Sequence, residues 1–421
     1  MKKSSIHCLD DARNLAKTKL PEMIFDYVDG TALQGDGEKS NYSSFQKIKL
    51  FQNVLSGINK KSIKTKIFNH EFDIPFGIAP MGMCNLVNSK ADISIAKLAR
   101  KFNAPVSFST MASTSLEKTF NITGELGWFQ LYVYDDLKSG LDLALRAQNA
   151  GYKTLILTVD VPDLGRRPRE LKHNFKAQFK PTFKQIVDCA FHPIWSLDML
   201  TNGIPRPANF GKKLKIDRNK ARGSADWKFL KSLRKLWKGN LIIKGILNPK
   251  DAKKAEELGA DAIYVSGHGS RQFDSSPIPI EQLPKVRAIL QKDTVVIFDT
   301  GVRNGEDIIK AKCLGADFVM IGGILAGHDE CDGEVENGVM KFYGMASESA
   351  MDRHGNHNNY RGAEGKTVEI PYRGKVDDTI KDILSGIRSA CTYVGANRLK
   401  TLSKCTTFVR VHNTHNTIYE N

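Results

Sequence analysis

The chain has 421 residues, 41% of them hydrophobic, which suffices for a large core and one or two domains. Its formal charge is +16, yet no helix-turn-helix, zinc-finger or RNA-binding signature accompanies it, so nucleic acid is not expected as a partner. Seven scattered cysteines form no CxxC pair and no run reaches the ~18–20 apolar residues of a membrane span, which speaks against a disulfide frame, a zinc knuckle and a transmembrane anchor and for a cytoplasmic protein.

Residues 1–73 read as a leader of one or two helices. It opens on "MKKSSIHCLDDARNLAKTKL", which has no apolar stretch after its lysine pair, so no secretory signal is expected. From residue 74 short apolar runs alternate with helical stretches: "IPFGIA" (74–79), "PVSFS" (105–109), "GWFQLYV" (127–133), "TLILTVD" (154–160), "NLIIKG" (240–245), "AIYVSG" (262–267), "TVVIFD" (294–299) and "FVMIGG" (318–323). They are apolar on both faces, as parallel strands buried on both sides should be. Between them lie segments such as "NPKDAKKAEELGA", with Asn248 as N-cap, Pro249 in the first turn and Gly259 at the close. Eight such units predict an α/β fold, a (β/α)8 TIM barrel; a doubly wound sheet is the alternative, and no opening GxGxxG supports it. A long excursion (161–225) follows the fourth strand and a Gly- and Asn-rich flap (327–375) the eighth. A dense basic zone at 211–238 is either a solvated lysine-rich surface or a face for a membrane or an acidic partner.

Barrel chemistry sits at the carboxyl ends of strands. Those ends bring Asp160, Arg167, Lys244, His268, Arg271 and Asp299 towards one mouth. His268 is either a structural histidine or a general base, since imidazole exchanges protons near neutral pH. Asp160 is either a strand-end cap or the carboxylate that steadies the imidazolium. Arg167 and Arg271 either make surface ion pairs or grip a substrate carboxylate through forked hydrogen bonds. Lys244, in an apolar strand, needs an anionic partner. "DTGVR" (299–303) and "IGG" (321–323) present backbone amides where barrels commonly hold phosphate. This set suggests a phosphate-bearing cofactor and a small hydroxy acid whose hydroxyl loses a proton while the adjacent carbon loses hydride; Lys244 suits the cation a reduced flavin needs.

The stretches "LPEMIFDYVDG", "IAPMGM", "FQLYVY", "LTVDVPDLGRR", "IIKGILNPKDAKKAEELGADAIYVSGHGSRQFD" and "DTGVRNGEDIIKAKCLGAD" resemble the FMN-dependent 2-hydroxy acid oxidases and dehydrogenases, most nearly the L-lactate dehydrogenase type, over residues 1 to about 315. "FKQIVDCAFHPIWSLDMLTNGIPRP" in the excursion is also similar to that type. The resemblance implies His268 as base, Asp160 as its partner, Arg167, Arg271 and Tyr27 on the substrate carboxylate, Tyr132 facing the hydroxyl and Lys244 near the flavin N1. It implies FMN lined by Pro80, Met81, Gly82, Ser109, Gln130, Thr158 and Ser266, with Asp299, Thr300, Gly301, Val302 and Arg303 at the ribityl phosphate end. A homo-oligomer, a tetramer, is also implied. The electron acceptor stays open between oxygen, quinone and cytochrome. Met111 is expected to border the substrate pocket. The aromatic and basic mix of 161–240 suggests peripheral contact with the inner face of the cell membrane.

Three positions depart from that family's usual pattern: Gly267 stands for Asn, Thr300 for the middle glycine of DGG, and Gly322-Gly323 for Gly-Arg. From about 316 to 421 the chain instead resembles GMP reductase, in "GADFVMIGGILAGHDECDGEV", "KFYGMASESAM" and the stretch from "YRGAEGKT" onward. That likeness implies a nucleotide phosphate held by Gly322, Gly323, Tyr343, Gly344, Met345 and Ser347, with Glu364 in the chemistry. The expected organisation is therefore a leader (1–73), seven barrel strands of the dehydrogenase type (74–315) and a GMP reductase-like end (316–421) that supplies strand eight, a flap and the last helix, joined within about 299–316. GMP reduction with NADPH needs a cysteine nucleophile in a GSxC loop; none of the seven cysteines is so placed. The reading that follows is FMN-dependent oxidation of a small L-2-hydroxy acid, L-lactate first. An NADPH-dependent nucleotide oxidoreductase and an inactive nucleotide-binding hybrid are the alternatives.

Overall fold

A computed structural model describes residues 13, 16–55, 62–134, 137–162, 165–173, 182–210, 225–325, 339–343, 367–371, 376–406 and 408–410. Eight parallel strands close into a barrel: β1 (Phe76–Met81), β2 (Val106–Ser109), β3 (Gly127–Leu131), β4 (Thr154–Thr158), β5 (Asn240–Lys244), β6 (Ala262–Val265), β7 (Val295–Phe298) and β8 (Phe318–Ile321). All eight fall on the expected runs. β8 pairs with β7 on one side and with β1 on the other, so the ring has no free edge. Each strand is followed by a helix, ending with Val376–Tyr393, which packs against Gly305–Cys313.

Side chains alternate along these strands with a period of two. The inward set, Trp128, Ile156, Ile242, Tyr264, Ile297, Phe318 and Met320, fills the barrel, and Ile67 and Phe72 of a short hairpin plug its amino-terminal end. The outward set, including Leu155, Leu157, Leu241, Ile243, Val296 and Phe298, packs under the helices. Counting inward positions up each strand by twos gives Gln130 and Tyr132, Thr158 and Asp160, Lys244, Ser266 and His268, and Asp299. Periodicity alone thus delivers the polar residues to the carboxyl-end mouth.

The described part of the leader includes α1 (Glu22–Asp29) and α2 (Asp36–Lys47), with residues 16–19 before them also helical. The described part of the excursion adds α3 (Pro168–Lys172), α4 (Phe183–Ala190) and α5 (Pro193–Asn202). α4 is closed by a full capping box between Thr182 and Gln185. The helix after β5 starts as expected, with Asn248 capping the Lys250 amide and Pro249 in the first turn. Of the basic zone, 211–224 lies outside the described residues, and 227–236 is a helix. Gly344, Met345, Ser347 and Glu364 also lie outside them; Tyr343 ends a strand paired with Thr367–Pro371. Among the described residues no helix is long and apolar enough to cross a membrane.

Candidate active site

The turn after β6 carries the histidine. His268, Gly269 and Ser270 all have positive φ (53°, 62° and 60°), a left-handed turn that is unfavourable for the two non-glycine residues. It aims the imidazole across the mouth at β4. His268 Nδ1 lies 2.9 Å from Asp160 Oδ1, and Tyr132 Oη lies 3.2 Å from Nε2. With Nδ1–H donating to Asp160, Nε2 is left as an acceptor facing the mouth. Burial alone would raise the Asp160 carboxyl; the His268 charge and hydrogen bond, and Lys244 beyond, outweigh it and hold Asp160 below the usual aspartate range. Asp160 Oδ2 is buried without a hydrogen-bond partner.

The backbone makes room for this pair. Gly245, directly after Lys244, has φ +103°, and a Cβ there would lie 2.5 Å from both Cβ and Cγ of Asp160.

Lys244 is 4% exposed and finds the anion that its burial demands in Asp299, 3.2 Å away; its ammonium also donates to Ser266 Oγ at 2.6 Å and lies over the Tyr264 ring. On the other side of the mouth the Ser109 hydroxyl donates to Gln130 Oε1 (2.8 Å) and Gln130 Nε2 donates to Thr158 Oγ1 (3.0 Å). Thr110 completes that wall, accepting from the Tyr132 amide.

The two arginines differ in what they hold. The terminal nitrogens of Arg271 donate to the carbonyls of Tyr27, Val28 and Gly30 and to Glu170 Oε1 (3.0 Å), one bond for each of its four terminal N–H groups. Arg271 therefore ties α1 to the catalytic turn. Glu170 also receives Arg167 Nη1 at 2.5 Å, so one carboxylate stands between the two guanidiniums. Burial and the neighbouring Arg167 push the Arg271 guanidinium below its ordinary range. Arg167 Nε is buried with no partner. That unpaired Nε–H is a donor a substrate carboxylate can take. Sequence reasoning missed Glu170, although its i,i+3 spacing from Arg167 in a helix opening at Pro168 was readable. Tyr27 Oη donates to Gly82 O at 3.4 Å, and its ring lies under the Arg271 guanidinium.

Pro80, Met81 and Gly82 close β1 at the rim, half-buried, beside Met111, which is 9% exposed. At the expected phosphate end the side chains turn elsewhere. Asp299 faces Lys244, Thr300 faces the His268 turn, and Arg303 reaches Glu38 on α2 (3.3 Å) and lies over the Tyr42 ring. Gly301 packs against Phe45 and Asn41 of α2, Val302 is half-buried against the outer core, Gly322 packs on Met81, and Gly323 faces open space.

The description "FMN-dependent dehydrogenase" fits the family model that matches residues 16–348. The chain belongs to that family. The match runs past the interval 299–316 where a join was expected, and the likeness of the last quarter to GMP reductase gains no support. (S)-Mandelate dehydrogenase of Pseudomonas putida is 33% identical over 324 residues, 75% of this chain and 81% of that protein. An L-lactate dehydrogenase of Azorhizobium caulinodans is also 33% identical over 324 residues, 74% of this chain and 85% of that protein. Among solved structures, that of the monotopic membrane protein (S)-mandelate dehydrogenase superposes with a TM-score of 0.79 at 28% identity, covering 96% of this chain and 99% of the other. The enzyme is therefore an FMN-dependent 2-hydroxy acid dehydrogenase or oxidase.

The donor set suits that cofactor. A buried ammonium, a wall of hydroxyls and one amide at the ends of β2 to β4, and open space at Gly323 face the same mouth. These groups can hydrogen-bond a polar heterocycle edge on one side and leave His268 and Arg167 for a substrate on the other.

Proposed function

We propose that the enzyme oxidises a small L-2-hydroxy acid, L-lactate first, to the 2-oxo acid. The observation that carries this reading is the Asp160–His268–Tyr132 line across the mouth, at 2.9 Å and 3.2 Å. His268 Nε2 takes the substrate hydroxyl proton, and Asp160, held ionised, steadies the imidazolium. Tyr132 Oη orients that hydroxyl. Arg167 receives the substrate carboxylate on its unpaired Nε, while Arg271 fixes the turn and the end of α1. Lys244, Ser266, Gln130, Thr158, Ser109 and the rim residues Pro80 to Gly82 would hold FMN. The chemistry supplied by FMN when bound is acceptance of the hydride from the α-carbon.

The lactate-type excursion favours L-lactate, and (S)-mandelate is the competing substrate. The test is the absorbance spectrum of the purified yellow protein, taken without air before and after each acid. Bleaching by L-lactate at lower concentration than by (S)-mandelate is expected. A spectrum that neither acid changes would refute the reading.

The same excursion favours a membrane surface as partner. α4 and α5 pack together yet leave Phe183 (82% exposed), Ile186, Leu197 and Leu200 (79%) in solvent, with Ile204 beyond. An apolar face this wide beside a chain of +16 charge fits the headgroup region of an anionic bilayer.

A further inference from the structure

Thr300 is a β-branched residue at φ +81°, in the left-handed region that strains such a side chain. Its side chain is 9% exposed and its hydroxyl is fully used. Oγ1 accepts from the Gly267 amide (3.0 Å) and the Gly269 amide (3.2 Å) and donates to Asp299 Oδ1 (2.8 Å). The amide between those two, that of His268, donates to Ser266 Oγ at 3.0 Å. Three successive amides of the catalytic turn are thus held by two hydroxyls. Both hydroxyls lead to Lys244, Ser266 directly at 2.6 Å and Thr300 through Asp299.

The neighbour across the gap explains the space. A Cβ on Gly267 would lie 3.5 Å from Thr300 Cγ2 and 3.0 Å from Pro279 Cγ. A larger side chain at 267 would grow into that methyl. Two of the three positions that depart from the family's usual motif, Gly267 and Thr300, therefore meet.

We infer that Thr300 is a positioning residue, whose hydroxyl clamps the left-handed turn carrying His268 and couples it to the Lys244–Asp299 pair. The inference rests on reading His268 as the base. Loss of the hydroxyl frees the Gly267 and Gly269 amides and lets the imidazole drift from Asp160. Glycine at 300 relaxes the backbone without restoring the clamp.

The test uses the FMN-loaded protein with Thr300→Ser, Thr300→Val and Thr300→Gly. Amide hydrogen exchange of the segment 266–270 should quicken in the Val and Gly variants and stay near wild type in the Ser variant. With L-lactate, kcat should fall about tenfold, the equivalent of ~1.4 kcal/mol, in Val and Gly, with KM within about threefold and FMN content unchanged. Thr300→Ser should recover kcat. The Gly variant has the relaxed backbone, so it guards against a fold lost to strain. Unchanged exchange in both Val and Gly would overturn the inference, as would a Ser variant that behaves like Val. If wild type oxidises neither lactate nor mandelate, the proposed substrate fails, while the exchange pattern still decides Thr300.

Discussion

Asp160 and His268 meet at 2.9 Å from strand ends two apart in the barrel, β4 and β6, and the contact fixes which imidazole nitrogen faces the substrate. Asp160→Asn keeps the shape but can donate to Nδ1, which favours the wrong tautomer. kcat should fall by about 10²–10⁴-fold, the range of general-base contributions. FMN should remain bound. Stopped-flow bleaching with L-lactate checks this; a loss below about threefold would remove Asp160 from the role.

Gly245 guards the same pair from behind. Alanine there places a methyl 2.5 Å from the Asp160 side chain at a φ of +103°. Gly245→Ala should therefore reproduce most of the Asp160→Asn defect and lower the unfolding midpoint as well, since strain and overpacking each cost about 1–3 kcal/mol. Urea unfolding beside steady-state kinetics separates the two effects.

Glu170 holds two guanidiniums that otherwise repel. Glu170→Gln keeps hydrogen bonding but removes the charge, so Arg167 and Arg271 should separate. KM for L-lactate should rise about tenfold, with kcat falling less. A lower KM would mean instead that Glu170 competes with the substrate carboxylate.

The barrel was legible because its signal repeats: eight short runs, each apolar on both faces, alternate with helical stretches. Asp160, Lys244 and His268 followed from reading the carboxyl ends of those runs, where titratable groups gather. Glu170 was not legible as a partner of both arginines, because its meeting with Arg271 depends on how the excursion folds back across the mouth. The engagement of Arg271 by the carbonyls of Tyr27, Val28 and Gly30 was hidden for the same reason, since a backbone acceptor leaves no mark in side-chain pattern. Thr300 read as a cofactor contact because its glycine-rich context suggests phosphate; only its φ and its three hydrogen bonds turn it towards His268.

The apolar face of α4 and α5 is open to direct test. Phe183→Asp with Leu200→Asp adds two negative charges where 82% and 79% of each side chain is exposed. Each side chain is worth roughly 1.5–3 kcal/mol when buried. The double variant should lose at least about tenfold in partitioning onto phosphatidylglycerol vesicles, with bleaching by L-lactate in solution unchanged. Equal co-sedimentation of the variant and wild type would place the membrane face elsewhere.

Far from the mouth, Lys312 donates to the Asp317 carbonyl at 2.6 Å, and burial pushes its ammonium down to about 8, against partial compensation from Asp317. The unfolded chain would titrate it near ~10.4. Below pH 8 both states carry the proton and the folded state bears the full cost of the buried charge. Between about 8 and ~10.4 the folded amine sheds its proton while the unfolded one keeps it, so stability rises with pH. Wild type should thus gain on the order of 2–3 kcal/mol relative to Lys312→Met between pH 7 and 10, each pK unit being worth ~1.4 kcal/mol. The neighbouring Cys313 thiol, pushed up to about 11 by burial, keeps its proton in the folded state while the unfolded thiol loses it near ~8.5, which lowers the stability of both proteins alike over that window and drops out of the difference between them. Urea unfolding of both proteins at the two pH values measures it. A wild-type advantage that shrinks towards pH 10 would reverse the sign and show Lys312 charged and well paired.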